Sequence, residues 1–291
     1  MTVQASGSGV PGVEVVHPGA GADATVEPWL VALDVDGTIM TEGGRISDAT
    51  VAEITRLAAA GHHVMIATGR SPAMTLPVLE RLGLVSEYVV CSNGAITLRR
   101  DPTAPAGYRP VFVEEFDPTE VLTTIDGSLD DAGYAVEDAH GLMLYMGAFP
   151  PQALSPNSRE ATFAELTKIA ATRVVVMSPS HSTEEFLGIV ESMGLQRVTY
   201  NIGWTAWLDI APENVTKATA LERVRALLGV SGMHVLAAGD GRNDIEMLTW
   251  AAAGSGRAIA MGQAPVEVVA VASETTGRDD EDGLAEALAT L

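Results

Sequence analysis

The residues able to do chemistry fall in four short stretches. Asp34 and Asp36 lie in VALDVDGT (Val31 to Thr38), Thr68 opens Thr68-Gly69-Arg70, Lys217 stands alone, and Asp240, Asn243 and Asp244 lie in GDGRND (Gly239 to Asp244). Together they offer an aspartate to attack, a hydroxyl and an ammonium to hold phosphate oxygens, and carboxylates for a divalent cation. Those are the parts of a phosphoryl-transfer site.

Each part has a physical rationale and a plainer alternative. Asp34 and Asp36 are two positions apart at a strand end, so they face opposite ways until the chain breaks, which Gly37 permits. One can then attack phosphorus while the other, Asp36, protonates the leaving oxygen and later activates water, since an acyl phosphate hydrolyses readily. A solvated Asp-Gly turn would explain the same residues. Thr68 and the backbone N–H groups after it can bind phosphate at the start of a helix, although a threonine there is more often an ordinary N-cap. Lys217 is one of only two lysines in a chain that otherwise uses arginine, so a compact point charge has been kept at this place. In GDGRND, Asp240 ends a strand, Gly241 turns the chain, and Asn243 and Asp244 follow one helical turn on. That hard-oxygen cluster suits Mg²⁺, and Asp244 as a helix N-cap is compatible with it.

Elements of regular structure must bring these pieces together. The apolar runs at 31–35, 64–67 and 88–92 predict strands, and the periodicity at 46–60 (N-cap Ser47, closed by Gly61) and 71–82 predicts helices. The same alternation returns near the C-terminus, with helices over 217–228 and 244–253 and strands over 235–238 and 258–261. Strand–helix–strand alternation implies right-handed crossovers and a parallel sheet, whose ligand site lies at the carboxyl ends of its strands. Asp34, Asp36, Thr68, Ser92, Asn93 and Asp240 all fall at or just after such ends. Residues 113–211 read differently, with helices over 118–132 and 183–193 and strands over 142–146, 174–177, 198–201 and 206–210. The fold class expected is therefore α/β, a Rossmann-like parallel-sheet core over 29–112 and 212–291, interrupted by an α+β insert that can act as a lid. Residues 1–28, rich in Gly, Ala, Val and Pro, are expected to be a mobile tail with no part in the chemistry.

Composition narrows the partners. A chain of 291 residues that is 47% apolar can bury a sizeable core. With 17 basic against 38 acidic residues its formal charge is −21, which argues against nucleic-acid or anionic-membrane surfaces. An acidic surface or a salt-loving host would explain it equally well. A phosphate substrate would be repelled overall, so a metal and placed cations such as Lys217 must supply local positive charge. No Lys or Arg precedes Arg45 and no apolar run approaches about 20 residues, so a cytoplasmic location is expected. The single Cys91, in YVVC, reads as a buried thiol with no redox role. Oligomeric state is not readable from these features.

Taken together, the motifs resemble the haloacid dehalogenase superfamily, and within it the Cof-like sugar phosphatases with a type IIB cap. The likeness spans about residues 30–291 and rests on Asp34-Val35-Asp36-Gly37-Thr38, Thr68-Gly69-Arg70, Lys217, and Gly239 to Asp244 with Met247-Leu248, in that order. The resemblance implies that Asp34 is nucleophile and metal ligand, that Asp36 is general acid/base and gives a backbone carbonyl to the metal, and that Asp240 is the third protein ligand. It implies that Asp244 holds a metal-bound water or orients Lys217, and that Thr68 and Lys217 clamp the phosphoryl group. Ser92-Asn93-Gly94-Ala95 resembles the family's Asn-Gly-Ala turn, which implies that Asn93 touches the phosphate or the leaving group; Gly69, Arg70, Asn243 and Asp244 are further candidates for contacting the substrate or supporting those that do. The implied function is Mg²⁺-dependent hydrolysis of small phosphomonoesters, sugar phosphates first, through an aspartyl-phosphate on Asp34.

Two positions depart from the family's pattern, Ala218 after the lysine and Gln263 in the late Met-Gly-Asn-Ala run. Asp279 to Asp282 reads as a solvated turn. A phosphosugar mutase would use the same nucleophile but retain the phosphoryl group, and a phosphometabolite-binding protein would have lost turnover. A receiver domain shares the acidic cluster, Thr and Lys but has no room for the insert. In the insert, Tyr145, His181, Trp204 and Trp207 can line a sugar pocket or simply form a small core.

Overall fold

The structure, a computed structural model, describes residues 27–129, 131–150, 153–195, 198–202 and 206–291. Most of the tail expected over 1–28 lies outside the described residues. The first half of the core runs β1 (Leu30–Leu33), α1 (Asp48–Ala59), β2 (His63–Ile66), α2 (Pro72–Leu82), β3 (Tyr88–Cys91), β4 (Ile96–Arg100) and β5 (Tyr108–Val113). The insert follows as α3 (Thr119–Asp126), β6 (Gly133–Glu137), β7 (Met143–Met146), β8 (Ser158–Glu160), α4 (Phe163–Leu166), β9 (Arg173–Met177), α5 (Thr183–Met193), β10 (Val198–Ile202) and β11 (Trp207–Pro212). The chain then returns through α6 (Lys217–Leu228), β12 (Val235–Gly239), α7 (Ile245–Ala253), β13 (Arg257–Ala260), α8 (Val266–Val269), β14 (Glu274–Thr275) and α9 (Gly283–Leu288).

The core sheet has the order β14-β13-β12-β1-β2, all parallel. Its central strands are apolar throughout because both faces are covered. Val31 and Leu33 pack with α1, α2 and α9, and Leu30 and Ala32 with α6, α7 and α8. From β1 the chain moves outward through β2, then comes back to β12 on the other side of β1. The order therefore reverses between β1 and β12, where a doubly wound sheet forms its ligand crevice.

β3 lies beside β2 and is joined to the residue after it by the parallel bridge Ala67↔Val90, while its other edge pairs antiparallel with β4, which pairs with β5. The third strand thus runs parallel to β2 as expected, but it also opens a three-stranded antiparallel ribbon. Sequence periodicity hides that ribbon, since β5 carries Pro110, tolerated here at an edge where the register slips between Thr97 and Leu98.

The insert forms a six-stranded sheet, β10-β11-β9-β6-β7-β8, antiparallel except for β7–β8. One face carries Tyr134, Val136, Leu144, Val174, Val176, Leu208 and Ile210 into a core with α3 and α5. The alternation sends Glu137, Arg173, Met177, Trp207 and Asp209 to the opposite face. The helix expected over 118–132 stops at Asp126, capped by Gly127, and the chain after it becomes β6. Among the described residues no helix is long and apolar enough to cross a membrane.

Candidate active site

Backbone geometry assembles the site at the strand ends. Leu33 of β1 is in register with Ala238 of β12, and Asp34 N–H donates to Ala238 O at 3.0 Å, so Asp34 and Asp240 leave neighbouring strands side by side. Gly37 makes the close approach possible. Its φ is +75°, and a Cβ there would lie 2.2 Å from Asp240 Oδ2. Thr68 leaves β2 and is buried, with its N–H bonded to Val90 O. It is not the cap of α2, since that position belongs to Ser71; its Oγ1 instead accepts from Arg70 N at 3.2 Å.

Lys217 is the first residue of α6, whose N-cap Thr216 accepts from Thr219 N. The turn Ser92–Gly94 packs directly beneath that helix start. Gly94, at φ +105°, leaves space that a Cβ could not occupy, 2.2 Å from Thr216 O. Asn93 takes the left-handed conformation at φ 52° and accepts from Asn243 Nδ2 at 3.0 Å.

These placements converge on one buried ammonium. Lys217 Nζ donates to Asp34 Oδ1 at 2.6 Å and to Asp244 Oδ1 at 2.7 Å. Burial works against its charged form, yet Asp244 and Asp34 outweigh that and raise its pKa. Asp244 is wholly buried, and its other oxygen accepts from Asp240 N–H and Gly241 N–H, so the same carboxylate fixes both the lysine and the GDGRND loop. Burial pushes Asp34 up to about 7, with Lys217 opposing and Asp244 and Asp36 adding to the rise. Asp240 rises to about 8 through burial and the Asp34 and Asp244 charges.

Those shifts mark carboxylates short of compensating charge. Asp34, Asp240 and Asp244 each offer an oxygen within 4.8 Å of the others. Both oxygens of Asp244 are engaged, whereas Asp34 Oδ2 and Asp240 Oδ2 accept no hydrogen bond among the described residues. A hard divalent cation with oxygen ligands fits that donor set.

Asp36 is placed apart from this cluster. Its carboxylate is paired with Arg70 through Nε at 2.8 Å and Nη2 at 2.5 Å, on the wall of a cavity of about 710 Å³ that also reaches Asp34, Thr68 and Asp240. The cavity's far wall comes from the insert and includes Pro150, Ala153, Arg173, Met177, Trp207 and Asp209. Of the aromatics named from sequence, Trp207 lines it, Tyr145 packs against Ala135, Met143 and Val175, His181 bonds Ser178 Oγ at 2.6 Å, and Trp204 lies outside the described residues. Cys91 is buried, its thiol pushed up to about 12 by that burial.

Sequence reasoning missed several contributors. Arg173 Nε donates to Asp209 Oδ1 at 2.6 Å, and Trp207 Nε1 to Asp209 Oδ2 at 2.9 Å. Glu137 sits directly across from Arg173 in the β6–β9 register. Only cross-strand pairing brings Glu137, Arg173 and Asp209 together, so no local spacing announces that trio, whereas Trp207 was among the aromatics the sequence offered. Gln263 stood out only as a departure from pattern, yet its Nε2 donates to Gly37 O at 2.5 Å and its Oε1 accepts from Asp279 N at 3.2 Å. It ties the loop after Asp36 to the acidic turn.

The profile of the haloacid dehalogenase-like hydrolases matches residues 31–288, and the chain belongs to that family. It is 25% identical over 272 residues to the 5-amino-6-(5-phospho-D-ribitylamino)uracil phosphatase YitU of Bacillus subtilis, covering 89% of this chain and 96% of the relative. It is 28% identical to the pyridoxal phosphate phosphatase YbhA of Escherichia coli, covering 88% and 96% of the two chains. Among solved structures, the HAD subclass IIB sugar phosphatase BT4131 superposes with a TM-score of 0.74 at 22% identity, over 90% of this chain and 98% of that one. That likeness establishes the fold, a parallel-sheet core carrying an α+β cap.

Proposed function

We propose that this hydrolase is a Mg²⁺-dependent phosphatase of small phosphorylated metabolites that works through an aspartyl-phosphate on Asp34. The coarse statement, a phosphoric monoester hydrolase, is supported by the family and by relatives named for phosphatase activity. The observation that carries the finer one is the buried Lys217 shared by Asp34 and Asp244, beside the open oxygens of Asp34 and Asp240.

Asp34 attacks phosphorus, and holding its Oδ1 on Lys217 fixes the carboxylate's orientation before substrate arrives. Lys217 and the Thr68 hydroxyl stabilise the charge that spreads over the phosphoryl oxygens. Asp36, held on the cavity wall by Arg70, protonates the leaving oxygen and then activates the water that hydrolyses the acyl phosphate. Asp34, Asp240 and the Asp36 carbonyl would hold Mg²⁺, which neutralises phosphate charge that the −21 net charge of the chain would otherwise repel. Asp244 orients Lys217, and Asn93, Asn243 and Gly69 shape the loop beside the phosphate.

Sugar phosphates are the first substrates to try, on the strength of the sequence resemblance. The test is phosphate release from a panel of esters with and without Mg²⁺, together with acid quenching to trap label on the protein. Phosphate release that needs Mg²⁺, with label lost in Asp34→Asn, is the expected result. Near-wild-type turnover by Asp34→Asn would overturn the mechanism.

A further inference from the structure

We infer that Gln263 is a positioning residue for the metal site: its side-chain amide braces the Gly37 peptide against Asp240 and so sets how tightly the chain binds a divalent cation. This deepens the proposed function and rests on its metal reading.

Both ends of one amide are committed. Gln263 Nε2 donates to Gly37 O at 2.5 Å, and its Oε1 accepts from Asp279 N at 3.2 Å. A carbonyl can only accept and a backbone N–H can only donate, so these partners leave the amide a single orientation. The side chain, partly buried, joins two loops that lie at opposite ends of the sequence.

The braced peptide bears on the carboxylates. Gly37 has no side chain to hold it, and its φ of +75° belongs to a region that glycine visits freely. Its carbonyl accepts from Gln263 alone among the described residues, while its N–H donates to Met40 O at 2.8 Å. A Cβ at this position would fall 2.2 Å from Asp240 Oδ2, and Thr38 Oγ1 donates to Asp240 Oδ1 at 3.5 Å. The loop after Asp36 therefore lies directly on the Asp240 carboxylate. In the proposed function the Asp36 carbonyl would be a cation donor, and it belongs to the peptide just before the braced one. Freeing Gly37 O loosens that carbonyl and the surface against Asp240 together.

The brace also has firm foundations. Gln263 follows β13, and Met261 N–H donates to Gly239 O at 3.1 Å, one residue before Asp240. The stretch from Met261 to Gln263 thus holds both the loop leaving β1 and the loop leaving β12. At the far end, the turn carrying Asp279 is fixed by Gly262 N–H on Gly277 O at 2.9 Å, Gly283 N–H on Arg278 O at 3.0 Å and Arg45 Nη2 on Asp280 O at 3.2 Å. Groups that orient metal donors from behind change metal affinity by about 10–100-fold when they are removed, without touching the ion. A side chain that only stapled the surface would change stability instead.

The test titrates Mn²⁺ alone, which shares the preference for hard oxygen donors, into the full chain by calorimetry. Phosphate release from acetyl phosphate at varied Mg²⁺ runs beside it. Gln263→Met removes both bonds from a side chain of similar length, and Gln263→Asn keeps the amide on a stem too short to span both partners. Gln263→Met is expected to raise the Mn²⁺ Kd and the half-saturating Mg²⁺ by at least about tenfold, with kcat at saturating Mg²⁺ and KM for acetyl phosphate within about threefold of wild type. Gln263→Asn is expected to raise both metal constants by a smaller factor. A Gln263→Met protein with native circular dichroism that binds Mn²⁺ as the wild type does, whatever its melting temperature, would overturn the inference and leave the phosphatase proposal standing. Should that variant not fold, an unchanged Kd in Gln263→Asn would overturn it equally. Wild-type protein that hydrolyses acetyl phosphate without Mg²⁺ and binds no Mn²⁺ would overturn the metal reading and the inference with it.

Discussion

Lys217 Nζ lies 2.6 Å from Asp34 Oδ1 in a place closed to solvent, although the two residues are 183 positions apart. On the proposed mechanism, removing the ammonium takes away the group that orients the attacking carboxylate and compensates transition-state charge. Lys217→Ala is expected to lower kcat by roughly 10²–10³-fold, as for loss of a preorganised electrostatic donor. It also strands two buried carboxylates, which costs about 3–5 kcal/mol. Activity is therefore to be measured below the variant's own melting temperature, and unchanged kinetics there would refute the role.

The contact between Gly37 and Asp240 is a steric counterpart. A methyl at residue 37 would have to occupy the space of the Asp240 carboxylate, at a φ of +75° that alanine rarely adopts. Gly37→Ala is expected to displace Asp240 and weaken Mg²⁺ activation by at least tenfold, the scale of a disturbed metal environment. Titrating activity against Mg²⁺ checks this. An unshifted half-saturation would mean that Asp240 is not a ligand.

Which parts of this site could be read from the chain follows a physical division. Asp34, Thr68, Lys217 and Asp240 were readable because each sits at the end of an apolar strand or the start of a helix, where local sequence determines local geometry. Glu137, Arg173 and Asp209 were not. They stand on three different strands, and their meaning depends on a register set by the insert's own core of Val174, Val176, Leu208 and Ile210. The same limit hid β6, since the polar stretch after Gly127 shows no strand alternation until Tyr134. Gln263 was visible only as an odd residue, because its partners Gly37 and Asp279 meet it through the fold.

The raised carboxylates carry a pH signature. Asp34 and Asp240 sit near 7 and 8 in the metal-free protein, far above the ordinary carboxylate value of about 4. An acid whose pKa is raised by folding contributes stability that is present in full below its unfolded pKa. That contribution is lost once the pH has risen through the folded values. Metal-free protein is thus expected to melt at a lower temperature at pH 8.5 than at pH 5.5. Mg²⁺ is expected to restore the difference at the higher pH, where it need not displace protons. Calorimetry with EDTA or with millimolar Mg²⁺ measures both, and a metal-free melting temperature flat across this range would contradict it.

Glu137 allows a test in the cap that leaves the catalytic residues untouched. Its side chain is 1% exposed, and neither carboxylate oxygen meets full hydrogen-bond geometry; the buried Ser71 hydroxyl of the core, also short of a well-formed bond, is its neighbour. Burial raises its pKa, and Arg173 and then the Ser71 hydroxyl oppose the rise without cancelling it. By the same sign, the carboxylate favours folding at low pH and opposes it once the pH passes its folded value. Glu137→Gln keeps the shape and removes the charge, so the variant is expected to gain stability at pH 8 and little at pH 4. Relief of a buried unsatisfied group is worth about 1–3 kcal/mol. At about 2–4 °C per kcal/mol for a chain of 150–250 residues, the gain is measurable by thermal melts at the two pH values. A loss of stability at pH 8 would show instead that the ionised carboxylate is needed to hold Arg173 in place.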